Sequence, residues 1–249
     1  MSKLSFVKYE GIGNDFILID DREERFIFDP LYIQQLCHRK FGIGADGLIL
    51  LQNGADYRMR IFNCDGKEAE CCGNGLRCLV HFIRELGLAR ERVKIEVQGR
   101  AYDAKWVGGE PAVDMGAVKE IRLHLETEEG VVHFGDSGVP HVVQFVDDVE
   151  RVDLMRVGRF LRNHRLFVPK GANVNVARKE GRGIWARTYE RGVEGETLAC
   201  GTGAAAIAAI ARELYGKQGP FSVHFRGGTL TMDGNWMVGP VRPVFSGSV

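Results

Sequence analysis

A four-residue pattern, Cys-Gly-X-Gly, occurs twice in this 249-residue chain, at 72–75 and again at 200–203, a separation of 128 residues or about half its length. Self-similarity at such a period signals a duplicated unit, so the chain is expected to fold as two related halves. The likeness runs past the glycines, because Arg84, Glu85 and Leu86 stand at the same offset from Arg212, Glu213 and Leu214.

Each copy continues with helical spacing. Leu76, Leu79, Val80 and Ile83 mark one face in the first, and the second is an Ala/Ile run of strong helix propensity over 204–211. Both helices are expected to close near a glycine, Gly87 and Gly216. What precedes each copy also matches: YRMRIFNCDG and GIWARTYERG both read as strands. Further strand-like stretches, VKIEVQG, AVDMG, HVVQFV, FSVHF and GTLTM, are punctuated by Gly. A Pro-started helix is expected from Asp29-Pro30 through about Arg39.

These readings give an α+β fold of two similar halves. Each half is expected to be a curled, mainly antiparallel, barrel-like sheet around a central helix, with the active site in the cleft between the halves. The expected division is 1–118 and 119–239, the tail 240–249 returning to the first half.

Lys plus Arg and Asp plus Glu each number 33, so no net field favours nucleic acid or an acidic membrane surface. The first residues, MSKLSFVKYEGIGND, hold no long apolar stretch, and the run at 204–211 falls short of the roughly 20 residues a membrane helix needs. A cytoplasmic protein with a small-molecule partner is expected. Six cysteines are sparse for a disulfide scaffold at this length, which argues for reduced thiols.

Cys72 and Cys200 each sit at the amino end of a helix apolar enough to be buried. Unpaired N–H groups and a partial positive charge there favour a thiolate and bind anions. The glycines flanking Asn74 and Thr202 let the backbone approach a ligand closely. Two such turns suit the carboxylate of an amino acid. Inverting its α-carbon needs an acid and a base on opposite faces, a need that one thiol and one thiolate meet. Donors at the helix ends would stabilise charge developing on the carboxylate.

Cys64, Cys71, Cys78 and His81 lack the paired C-x2-C spacing of a zinc site, so no metal is expected. No lysine stands in an identifiable phosphate cradle, and Gly42-Ile43-Gly44 lacks the third glycine of a dinucleotide loop, so no cofactor is expected either. Of the neighbouring Cys71 and Cys72, only Cys72 aligns with Cys200.

At these residues the chain resembles the diaminopimelate epimerases, pyridoxal-independent enzymes that interconvert the LL and meso forms of diaminopimelate. The resemblance is carried by GIGNDF (11–16), GIGADGL (42–48), RIFNCDG (60–66), CGNG (72–75), GVPHVV (138–143), GANVNV (171–176), YERGVEGET (189–197) and ACGTGA (199–204). It implies that Cys72 and Cys200 are the acid/base pair and that His141 and Glu190 tune their pKa values. It further implies that Asn14, Asn63, Asn173, Glu190 and Arg191 hold the amino and carboxylate groups, with Gly73-Asn74 and Gly201-Thr202 as donors. It also implies a homodimer and a role in lysine biosynthesis.

Two positions depart from the family pattern. Val139 stands where many members have Asn, and Gly47 where many have Gln. Two other readings stay open: a racemase or epimerase for proline, hydroxyproline or histidine, and a non-catalytic amino-acid-binding redox protein whose cysteines form a reversible disulfide.

Overall fold

The computed structural model describes residues 4–69, 71–88, 90–216 and 219–249. Contacts divide the chain into two units, Met1–Asp114 with Gly239–Val249, and Met115–Val238.

In the first unit, β1 (Ser5–Gly11) and β2 (Asn14–Asp20) form an antiparallel hairpin in which Gly11 pairs with Asn14. Its two-residue loop, Ile12 and Gly13, has φ of 50° and 87°. Positive φ at both loop positions matches the twist of a hairpin, although a β-branched residue adopts it only under strain. The chain then passes through α1 (Pro30–Cys37) to β3 (Gly47–Asn53), which lies parallel to β2. A parallel neighbour requires such a crossover.

β4 (Tyr57–Asn63) returns antiparallel to β3, and α2 (Gly73–Glu85) crosses to β5 (Arg92–Val97), parallel to β4. β6 (Arg100–Val107) and β7 (Glu110–Asp114) follow as antiparallel neighbours.

β3 reads as a continuous apolar run because both of its faces are covered. Leu48 and Leu50 pack with Ile33 and Leu36 of α1. On the other face a Cβ at Gly75 of α2 would lie 2.8 Å from Ile49, so glycine permits the close approach of helix and sheet. Burying each of Leu76, Leu79 and Ile83 of α2 contributes about 1.5–3 kcal/mol. The carboxylate of Asp29 caps α1 by accepting from the Leu31 amide at 2.9 Å. That helix ends at Cys37, slightly earlier than its sequence suggests. The ring nitrogen of His38 accepts from the amides of Lys40 and Phe41 at 3.1 Å each, which turns the chain back.

The second unit repeats this plan. β8 (Lys119–Thr127) and β9 (Gly130–Asp136) are antiparallel, as are β9 and β10 (Pro140–Phe145). α3 (Leu154–Arg162) crosses to β11 (Asn173–Glu180), parallel to β10. β12 (Gly183–Glu190) is antiparallel to β11 and also pairs with the short β13 (Gly195–Thr197). α4 (Gly201–Tyr215) crosses to β14 (Phe221–Phe225), parallel to β12, and β15 (Gly228–Asp233) and β16 (Trp236–Val238) complete the order.

From β1 to β7 and from β9 to β16 the sense of pairing changes identically, and α1 and α2 recur as α3 and α4. The place of β8 beside β9 is taken in the first unit by the terminal strand β17 (Arg242–Ser248), antiparallel to β1. Within neither unit does a described ladder join the outermost strands, so the barrel-like curl expected from sequence stays open. No helix among the described residues is long and apolar enough to cross a membrane.

Candidate active site

Cys72 is the residue immediately before α2, with φ −139° and ψ 117°, and Cys200 the residue immediately before α4, with φ −134° and ψ 114°. Neither side chain caps its own helix. The Leu76 amide donates to the Cys72 carbonyl at 2.8 Å and that of Ala204 to the Cys200 carbonyl at 2.9 Å. The earlier amides of each helix, those of Gly73 and Asn74 and of Gly201 and Thr202, have no acceptor one turn back and are the donors such an end offers to an anion.

In the first unit, Sγ of Cys72 donates to Oδ1 of Asn14 at 3.4 Å. The orientation of that amide is fixed from behind, because its Nδ2 donates to Asp46 at 2.8 Å and a carboxylate only accepts. Asp46 and Asp15 are held in turn by Arg39, whose Nη2 lies 2.7 Å from one and 2.8 Å from the other. Burial would raise the Asp15 carboxyl, but hydrogen bonds from Arg39 and Lys8 hold it well below the usual carboxylate range.

Below the start of α2 lies the guanidinium of Arg77, fully buried, donating to Oδ1 of Asn74 at 3.0 Å and to the Gly73 carbonyl at 3.3 Å. The oxygen of Asn74 is thus engaged by the guanidinium behind it.

Asn63 ends β4 opposite Gly47, and its side chain is exposed. The same places in the second unit are held by Glu190 and Asn173, since Val174 pairs with Tyr189 in the next register step. Gly47 therefore stands where the other unit has Asn173. A Cβ at Gly47 would run into the Phe62 carbonyl oxygen, so this backbone admits no side chain without a shift of the ladder.

In the second unit His141, the second residue of β10, pairs with Asn173 of β11. Burial, with Arg191 adding to it, pushes the imidazole down to about 3, so it is neutral at physiological pH. Its Nε2 lies 3.0 Å from Oγ1 of Thr202, which in turn lies 3.4 Å from Sγ of Cys200. Glu190, at the end of β12, is raised by burial against hydrogen bonds with Thr197 and Cys200. Oδ1 of Asn173 accepts from the Arg191 amide at 2.8 Å, while Nη1 of Arg191 donates to the Lys170 carbonyl at 3.1 Å.

The sequence-predicted residues thus gather as two sets: Asn14, Cys72, Gly73 and Asn74 around one helix start, and His141, Asn173, Glu190, Arg191, Cys200, Gly201 and Thr202 around the other. Sequence reasoning missed Asp46, Arg77, Asn175, Thr188 and Thr197. The alternating asparagines of Asn173-Val174-Asn175 in an otherwise apolar strand were the available signal for one of them.

The remaining cysteines have other surroundings. Cys71 is raised by burial and hydrogen-bonded with Tyr102, Cys37 and Cys78 are buried, and Cys64 is exposed. Among the described residues no three His, Cys, Asp or Glu side chains gather as a metal site.

The likeness of this chain to known proteins is extensive. Relatives aligned over nearly their whole length bear the name diaminopimelate epimerase. That of Methanocella arvoryzae is 40% identical, the alignment covering 100% of this chain and 98% of the relative. That of Archaeoglobus fulgidus is 39% identical, covering 98% and 96%. Among solved structures, a Bacillus anthracis phenazine biosynthesis protein of the PhzF family superposes with a TM-score of 0.77 at 14% identity, over 100% of this chain and 99% of that one. A hydroxyproline epimerase from Agrobacterium vitis does so with a TM-score of 0.70 at 15% identity, over 100% and 91%. At such identities these structures establish the fold alone. The sequence profile described as diaminopimelate epimerase matches residues 6–121 and 134–240. The chain belongs to the diaminopimelate epimerase family.

Proposed function

We propose that this protein interconverts LL- and meso-diaminopimelate by two-base proton transfer, with Cys72 and Cys200 as the thiol/thiolate pair. One observation carries the reading: two cysteines with the same backbone conformation each begin a buried helix, and each sulfur meets a polar partner, Asn14 or Thr202.

Inversion at one carbon requires proton removal from one face and proton delivery to the other. One thiolate takes the α-proton while the other cysteine gives its own, and the reverse reaction exchanges the roles. The difficulty is charge, since the carbanion forms next to a carboxylate. Amides at a helix start are preorganised for that developing charge. Glu190, kept more basic by burial, is suited to exchange a proton with Cys200, and neutral His141 holds the Thr202 hydroxyl beside the same sulfur.

The other groups divide between the two ends of the substrate. Asn14, Asn63, Asn74 and Asn173 offer amide donors and acceptors, and Glu190 with Arg191 can take an ammonium and a carboxylate. Gly73, Gly201 and Thr202 supply backbone donors. We place the enzyme in the cytoplasm as a homodimer serving lysine biosynthesis.

The test is direct. Purified protein under reducing conditions, with no added pyridoxal phosphate, should form meso-diaminopimelate from the LL isomer and leave proline, hydroxyproline and histidine unchanged. Inversion of one of those three with none of diaminopimelate would replace this substrate assignment.

A further inference from the structure

Behind His141 the sheet holds a side chain that sequence reasoning left out. Asn175 of β11 is fully buried and pairs with Thr188 of β12 in the ladder register. Its Nδ2 lies 2.9 Å from the Val142 carbonyl oxygen and 3.1 Å from Nδ1 of His141, and its Oδ1 accepts from the Thr188 hydroxyl at 2.9 Å.

Only one orientation of this amide is compatible with its surroundings. A peptide carbonyl cannot donate, so the group facing Val142 must be the NH2. Turning the amide over would set two acceptors against each other in a site sealed from water. The second hydrogen of Nδ2 then points at Nδ1 of His141, which must be the unprotonated, accepting nitrogen. A neutral imidazole in that state carries its proton on Nε2, and the partner there is Oγ1 of Thr202 at 3.0 Å. Having accepted that N–H, Thr202 can turn its own hydroxyl proton to Sγ of Cys200 at 3.4 Å.

A second observation ties the amide to the cysteine. A Cβ placed on Gly203 would lie 2.7 Å from Oδ1 of Asn175, 3.1 Å from Cβ of Cys200 and 3.3 Å from its sulfur. The last glycine of the second Cys-Gly-X-Gly thus brings the helix start and the strand amide together.

We infer that Asn175 is a positioning residue which, with Thr188 behind it, locks His141 in the Nε2-protonated tautomer so that Thr202 donates its hydroxyl to the sulfur of Cys200. The consequence for turnover rests on the proposed role of Cys200; the tautomer does not. A hydroxyl donor held on the sulfur favours its ionised form, and the lock makes that donor part of the fold.

The experiment is 15N NMR of histidine-labelled protein, in which long-range ring couplings distinguish the tautomers, combined with steady-state kinetics. The wild-type protein at neutral pH should show His141 protonated at Nε2 only. In Asn175→Asp a carboxylate faces Nδ1, so His141 should gain a proton there, with kcat falling about 10- to 100-fold and KM little changed. Thr202→Val should keep the tautomer yet lose rate, and Thr202→Ser should restore it. Wild-type His141 protonated at Nδ1 overturns the inference whether or not any variant folds. So does an Asn175→Asp protein with unchanged ring signals and rate. The expected ring signals in a protein that does not act on diaminopimelate would strike the proposed function and leave the tautomer lock standing.

Discussion

Cys72 and Cys200 share one backbone conformation, φ −139° and ψ 117° against φ −134° and ψ 114°, and each occupies the capping position of its helix without capping it. Serine is among the strongest residues at that position and can accept from amides of the first turn. Cys72→Ser and Cys200→Ser should therefore hold or raise the melting temperature, each by up to about 1 kcal/mol of stability, while removing the proposed acid/base group. Thermal denaturation beside an activity assay checks this. Loss of activity that merely followed unfolding would contradict it.

Gly203, in the first turn of α4, and Gly216, just past its last residue, provide a contrast. Alanine at Gly203 would press on Asn175 and Cys200, so activity should fall sharply in a protein that still folds. Gly216 has φ 58° with open space around it, and alanine there should lower stability by about 1 kcal/mol with kcat unchanged. Denaturant titration and kinetics on both variants separate the effects.

Asp46→Asn tests the support of Asn14. An amide in place of the carboxylate can present N–H groups to Asn14, so the Asn14 oxygen is no longer fixed toward Cys72. A fall in kcat/KM of about 10-fold or more is expected, with only a small change in melting temperature. Unchanged kinetics would remove Asp46 from the account.

Much of this was legible in the sequence because a duplication repeats its own evidence. Two helix starts at a fixed offset identified Cys72 over Cys71, and strand patterns placed β4, β5, β10, β12, β14 and β15. α3 was overlooked although Leu154, Val157 and Leu161 share one face with Arg156 and Arg159 opposite, because it is short and carries Gly158 within that face. The glycine is needed there, since a Cβ would lie 2.6 Å from the Tyr189 side chain. β8 was overlooked although Ile121, Leu123 and Leu125 alternate with polar positions as a strand's residues do; the three are only half-buried, and the strand starts within the charged stretch read as a connection up to Glu120. At the site, motifs named the residues proposed to meet a ligand but not those that orient them. The direction of the Asn14 and Asn175 amides is set by Asp46, Val142 and Thr188, which other segments bring up.

Acid should weaken the fold through two buried imidazoles. Burial lowers His141 to about 3 and His133 to about 4 from an ordinary 6.5, His124 adding to the second. The unfolded chain therefore binds more protons than the native one below about pH 6.5, and stability falls as pH drops from there toward 4. Each group contributes a slope of up to about 1.4 kcal/mol per pH unit within that window. Glu190, raised by burial, acts in the opposite sense: the native chain holds the extra proton, and stability is lost as pH rises through the carboxylate range. Urea midpoints across pH 4 to 8 for wild type and His133→Gln read the histidine part, and the variant should show the shallower acid slope.

If two cysteines exchange protons at a single α-carbon, solvent deuterium must reach the α-carbon of LL-diaminopimelate in deuterated water, a transfer to be followed for wild type, Cys72→Ser and Cys200→Ser. Wild type should form meso product carrying deuterium at the inverted carbon, and each variant should lose epimerisation. Normal turnover by either variant, or meso product without solvent deuterium, would contradict the two-base account.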